Sequence, residues 1–186
     1  DLFKNVVSVG HAALNLVEKE LNHTTPHLEK KILIIGAGEI AKTTAKYFIS
    51  KGFKNLTIAN RTLDNAQKLI KQIGSGQAEE ICTSLQNIHL FSACLVAVSG
   101  EHYVIDKNSL QNNSTFGTQS RACSPSVIFV DMSVPRKINP NVTELDNVKL
   151  FNIDSLQFIV NRNQKMRANS ALAAKKIIKQ EVFDFS

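Results

Sequence analysis

One stretch constrains this chain more than any other: Lys31-Ile32-Leu33-Ile34-Ile35-Gly36-Ala37-Gly38-Glu39-Ile40-Ala41. Four apolar residues, three of them β-branched, run into a glycine turn, and a helix-forming pattern follows at once. A buried parallel strand hands over in this way to a helix whose N-terminus holds a pyrophosphate. In that reading Gly36 makes the tight turn and Gly38 lets the backbone approach the phosphates with no Cβ in the way. Ala41 is the small residue that lets helix and strand pack closely, and Glu39 and Ile40 fall in the same first turn. A GxGxxA run alone is weak, because glycine-rich strand ends arise by chance. The strand before it and the helix after it supply the context that the motif requires.

The rest of the chain alternates strand and helix, the pattern of a doubly wound α/β fold of Rossmann type with a mostly parallel sheet. Val6, Val9, Leu14, Val17 and Leu21 mark an amphipathic helix from about Val6 to Leu21. Asn22 to His27 ends it and begins a linker. Strand one is Lys31–Ile35, and a helix follows from Glu39 to Lys51, closed by Gly52. Strand two is Asn55–Ala59, followed by a helix over Leu63–Ile73 that Gly74-Ser75-Gly76 closes. Ala78–Cys82 reads as a third, edge strand, with a weak helix over Ser84–Phe91. Ala93–Val98 is a fourth, buried strand, Val127–Val130 a fifth ending at Asp131, and Val148–Phe151 the last. Asn108–Ser126, rich in Asn, Ser, Thr and Gln, reads as mostly surface loop. From Asp154 or Ser155 a long helix is expected to about Val182, with Leu156, Ile159, Met166, Ala173 and Ile177 on one stripe. The expected division is an N-terminal helix and linker over 1–26, a cofactor-binding domain over 27–153, and the start of a long helix over 154–186.

Composition narrows the class. At 186 residues the chain suffices for one well-cored domain and an appendage. No apolar run approaches the ~20 residues that span a bilayer. No signal peptide is visible, and the chain begins without methionine inside a helical pattern, so a piece of a longer protein is expected. Cys82, Cys94 and Cys123 are odd in number and contain no CxxC pair, which suits a reducing compartment and a cytoplasmic setting. Cys94 lies in an apolar run and reads as a core thiol, and Cys123 lies in a polar loop with nothing to activate it. His23 and His27 are four apart, but Thr24-Thr25-Pro26 breaks any helix that would align them, so no metal site is expected. The net charge of +6 comes with neither zinc-finger spacing nor an aromatic RNA-binding strand. The basic face of the last helix, with Arg162, Lys165, Arg167, Lys175, Lys176 and Lys179, is either a solvated surface or an RNA-backbone contact.

Chemistry concentrates at strand ends. After strand two stands Asn60-Arg61-Thr62, where an NAD-binding fold usually carries a carboxylate for the ribose 2′-hydroxyl. A neutral Asn60, a guanidinium at Arg61 and a hydroxyl at Thr62 suit a 2′-phosphate, which an acid would repel. The cofactor expected is therefore NADPH. Ser99-Gly100 follows strand four, where ligands of open parallel sheets lie, and gives the backbone close access near the nicotinamide ribose. Asp131, in Asp131-Met132-Ser133-Val134-Pro135-Arg136, either is functional or caps the next turn.

Taken together these residues resemble the glutamyl-tRNA reductases, NADPH-dependent enzymes at the entry to tetrapyrrole (porphyrin and heme) biosynthesis. Val7-Ser8-Val9 with Ala12-Ala13, Gly36-Ala37-Gly38-Glu39 with Ile58-Ala59-Asn60-Arg61-Thr62, Val130 to Arg136 with Ile138-Asn139-Pro140, and Phe151 to Gln157 are similar to that family's motifs in the same order. The resemblance implies an NADPH-binding domain with the beginning of a spinal helix. It also implies that the cysteine attacking the glutamyl ester lies in a catalytic domain outside this chain. Glutamyl-tRNA is the implied substrate of the whole enzyme and glutamate-1-semialdehyde the product. A homodimer through a further domain is implied as well, with glutamate-1-semialdehyde aminomutase as a further partner. Glu101-His102-Tyr103 departs from the family's proline-containing loop. A shikimate-dehydrogenase-like NADP oxidoreductase, whose Asn-Arg-Thr segment is similar, and a non-enzymatic nucleotide-sensing module remain as alternatives.

Overall fold

The computed structural model describes residues 2–21, 29–111, 127–156 and 158, with side chains from residue 9 onward. Six strands make the sheet: β1 (Lys31–Ile35), β2 (Asn55–Asn60), β3 (Gln77–Glu80), β4 (Ala93–Val96), β5 (Val127–Asp131) and β6 (Val148–Asn152). Their order is β3-β2-β1-β4-β5-β6, and every neighbouring pair is parallel. The strand order therefore reverses between β1 and β4, which opens a crevice at their carboxyl ends.

β1, β4 and β5 are apolar along both faces because helices cover both sides. Alternate residues of β1 feed two separate cores. Ile32 and Ile34 join Phe48, Leu56, Ile58, Leu95 and Val130 on one face, while Leu33 and Ile35 join Val96, Phe129, Ile105 and Ile138 on the other. The first core is roofed by α1 (Leu2–Glu20), α2 (Glu39–Ser50) and α3 (Leu63–Ile73). Ala12, Ala13, Leu14, Leu16 and Val17 of α1 are buried there, so this helix completes the core rather than standing beside it. Small residues set the spacing: a Cβ on Gly10 would meet Thr44 Oγ1 at 3.0 Å.

Several elements differ from the reading of the sequence. α1 begins near residue 2. Ile81 and Cys82 belong not to the edge strand but to a short helix, α4 (Ile81–Gln86); a short mixed run fits strand and helix equally well until its neighbours decide. Ser84 of that helix donates to Glu79 Oε2 at 2.7 Å and ties it to β3. β4 stops at Val96, two residues early. Inside the expected loop lies α5 (Lys107–Gln111). Its N-terminus is a reciprocal cap, with the Ser109 amide on Asp106 Oδ1 at 2.7 Å and the Asp106 amide on Ser109 Oγ at 3.0 Å. A 3-10 turn over Pro140–Glu144 is capped by Asn139, whose Oδ1 accepts from the Asn141 amide.

Residues 153–156 and 158 are helical, as expected of the segment after Asp154. The linker with His23 and His27, the rest of the polar loop with Cys123, and the basic face from Arg162 to Lys179 lie outside the described residues. Among the described residues no helix is long and apolar enough to cross a membrane, and no group of side chains is arranged to hold a metal ion.

Candidate functional site

The crevice at the carboxyl ends of β1, β2 and β4 is a cleft of about 880 Å³. The β1–α2 turn supplies Gly36, Ala37, Gly38 and Glu39, the end of β2 supplies Asn60, Arg61 and Thr62, and the segment after β4 supplies Ser99 and Gly100. Nine of the eleven residues singled out in the sequence thus face one space. The other two do not line it: Ala41 is fully buried and Ile40 packs against the core beneath.

The two glycines of the turn differ in kind. Gly36 has φ +122°, its amide donates to the Ala59 carbonyl at 2.8 Å, and a Cβ on it would lie 2.2 Å from the Ala97 carbonyl oxygen. It is therefore fixed by the crossing of β1 past the end of β4. At Gly38 a Cβ would meet nothing within 4 Å, so the space it leaves belongs to the cleft. Gly38 is also the N-cap of α2, and among the described residues no side chain caps that helix. The amides of its first turn and the positive end of its dipole are left to whatever fills the cleft. Glu39 stands at the mouth with Lys42 Nζ 3.9 Å from its carboxylate, an exposed pair of little energetic weight.

At the end of β2, Asn60 Nδ2 donates to the Thr62 carbonyl at 3.0 Å and shapes the turn that carries Arg61 outward. Arg61 is exposed and, among the described residues, holds no ion pair. The reading of the sequence missed Asn65, Lys68 and Gln72 of α3, which line the same wall. The signal was present in their spacing of three and four after Thr62, which places them on one helix face.

The opposite wall is built from the segment after β4, which the segment after β5 braces from behind. Asp131, with 1% exposure, decides between the two roles left open for it. Its Oδ1 accepts from the Ser133 amide at 3.0 Å, and its Oδ2 from the amides of Lys137 and Ile138 at 2.6 and 2.9 Å. The carboxylate caps the turn. Ser133 Oγ accepts from the Val98 amide at 3.2 Å, so the segment after β5 holds the one after β4. The Val134–Pro135 peptide in this turn is cis.

Cys94 is wholly buried in β4. Desolvation first, and the Asp131 carboxylate second, push its thiol well above the ordinary range. It is a core residue and no nucleophile. Cys82, on α4, is exposed.

Residues 15–159 match the family model described as shikimate / quinate 5-dehydrogenase. Across its full length the chain is 34% identical to the glutamyl-tRNA reductase of Chlorobium phaeobacteroides (strain BS1), of which it covers 42%. Among solved structures, glutamyl-tRNA reductase from Methanopyrus kandleri superposes with a TM-score of 0.77 at 27% identity, over 94% of this chain and 42% of that one. The nucleotide-binding domain of glutamyl-tRNA reductase from Thermoplasma volcanium shares the fold, with a TM-score of 0.60 at 20% identity, covering 86% of this chain and 96% of that one. The chain therefore spans about two fifths of the length of the curated relatives it matches.

Proposed function

Since the chain belongs to the shikimate / quinate 5-dehydrogenase family, we propose that it is the NADPH-binding domain of a glutamyl-tRNA reductase. The observation that carries this reading is one cleft with the helix N-terminus at Gly38 on one side and, on another, the guanidinium of Arg61, which is unpaired among the described residues. Identity to reductases of that name along the whole chain supports the choice within the family. The residues present fit a dinucleotide phosphate. The amides at the start of α2 suit a pyrophosphate, Gly38 leaves its side of the cleft open, and Arg61 with Thr62 suits a 2′-phosphate. NADPH would supply a hydride to an acyl carbon. The chain's own part is to hold the cofactor, through Gly36 to Gly38 and Asn60 to Thr62, and to present its nicotinamide end along Ser99 and Gly100.

In this reading residues 1–26 are the helix and linker entering the domain, 27–153 the cofactor domain, and 154–186 the start of a long connecting helix. The rest of the parent protein would supply the cysteine that forms the thioester with glutamyl-tRNA. Neither described cysteine is placed to do so: Cys94 is sealed in the core, and Cys82 lies outside the cleft lining. Homodimer formation and an association with glutamate-1-semialdehyde aminomutase belong to that parent. So does a cytoplasmic location.

Titration of the 186-residue chain with NADPH and NADH tests the assignment. NADPH should bind at least tenfold more tightly; equal or tighter binding of NADH would overturn it. The family match also favours a second reading, a dehydrogenase of small hydroxy acids. NADP-dependent oxidation of shikimate or quinate by the parent protein would establish that alternative, and its absence together with reduction of glutamyl-tRNA would dismiss it.

A further inference from the structure

Lys137 is fully buried, although its side chain ends in an ammonium. A lysine is seldom buried unless its donors find acceptors, because removing the charge from water is costly. Its Nζ donates to the carbonyl oxygen of Gly100, on the rim of the cleft. The other end of the residue is equally constrained. Its amide donates to Asp131 Oδ2, its carbonyl accepts from the Val104 and Ile105 amides at 2.7 and 3.3 Å, and Ile138 bridges to Ile105 beside it. The side chain is thus a strut, anchored at the end of β5 and ending under the exposed segment after β4.

That segment needs one. Gly100 is exposed at φ +134°, and a Cβ on it would meet nothing within 4 Å, so the position has no side chain with which to hold itself. Ser133 secures the Val98 amide and Lys137 secures the Gly100 carbonyl, so Ser99 is bracketed from one loop. A methionine would fill the same slot without desolvating a charge. What lysine adds is a strong charge-assisted hydrogen bond to one carbonyl.

We propose that Lys137 is a positioning residue that sets the Ser99–Gly100 rim and thereby the fit of the nicotinamide-ribose half of the cofactor. The proposal rests on the NADPH reading above. It assigns the adenosine half, on Gly36 to Gly38 and Arg61, to a part of the cleft that Lys137 does not touch.

The test compares NADPH with 2′,5′-ADP, which carries only the adenosine half, on the full chain and on Lys137→Met. The variant should bind NADPH about tenfold more weakly, the worth of one such hydrogen bond. Its affinity for 2′,5′-ADP should stay within about twofold, and the fluorescence of bound NADPH, which reports the nicotinamide surroundings, should shift toward that of the free cofactor. Lys137→Gln, which keeps a donor without the charge, should fall between, and it carries the comparison if Lys137→Met does not fold. An unchanged ratio of the two affinities, including equal loss of both, would overturn the proposal. If the unmodified chain binds neither ligand, the cofactor assignment falls and this inference with it.

Discussion

A Cβ on Gly36 would lie 2.2 Å from the carbonyl oxygen of Ala97, whereas one on Gly38, two residues further on, would touch nothing. The first glycine is demanded by the fold, whereas the second borders the open cleft. Gly36→Ala should therefore cost stability, about 3 kcal/mol from the clash and the positive φ together, read as a thermal midpoint lower by roughly 10 °C. Gly38→Ala, at an ordinary φ of −86°, should melt within a few degrees of the unmodified chain and bind NADPH at least tenfold more weakly. Calorimetry and fluorescence titration on the same two variants separate the roles.

Arg61→Ala should weaken NADPH by about ten- to a hundredfold and leave NADH within about twofold, because only the former carries a 2′-phosphate for the guanidinium to grip. Equal effects on both would show that Arg61 contacts no 2′-phosphate. Stability should not change, since the side chain is exposed and unpaired among the described residues.

Asp131→Ala strands three buried amide groups at once, those of Ser133, Lys137 and Ile138. At about 1–3 kcal/mol for each donor left without a partner, the loss should exceed about 3 kcal/mol. Asp131→Asn retains acceptor capacity and should lose less. Denaturant midpoints of the two variants check the order.

The raised thiol of Cys94 makes a prediction in alkali. In the unfolded chain the thiol ionises near its ordinary value of about 8.5, while in the folded chain burial, helped by the Asp131 charge, keeps it protonated. Above that pH the unfolded state holds fewer protons than the native one, so stability falls as pH rises. The contribution is intact below pH ~8.5 and erodes above it. Cys94→Ala should flatten that slope, as followed by urea denaturation between pH 7 and 10, although it lowers the plateau. In native conditions Cys82 should react with a thiol reagent and Cys94 should not.

Removing residues 1–20 should abolish cooperative unfolding. Val9, Leu14, Leu16 and Val17 are all buried in the core shared with β1 and α2. At about 1.5–3 kcal/mol each, their loss is comparable with the ~5–15 kcal/mol that holds a whole domain together. Binding of a hydrophobic dye and loss of a sharp thermal transition would show it.

The strand–turn–helix at Gly36 could be read without a structure because its signals are local. β-branched residues buried on both faces, two glycines at a fixed offset and a helix pattern all fall within eleven positions. That Asn60-Arg61-Thr62 lines the cleft was legible for the same reason, since this depends only on lying at the end of the second strand. The errors came where short segments take their form from distant partners. Ile81 and Cys82 suit a strand or a helix, and packing chose the helix. α5 lay hidden in a polar run, although Asp106 and Ser109 carried a capping signal at the right spacing.

By itself, then, the sequence determined an alternating α/β chain, the turn at Gly36 and a carboxylate-free Asn60-Arg61-Thr62 at the end of the second strand, because periodicity and backbone preference act over a few residues. Only the tertiary structure decided the rest. It put α1 into the core, showed Asp131, readable as functional or as a cap, to be the cap, and drew Lys137 beneath Gly100. Each of these depends on which loops the parallel sheet brings side by side, and residues 37 positions apart meet only after the strands have paired.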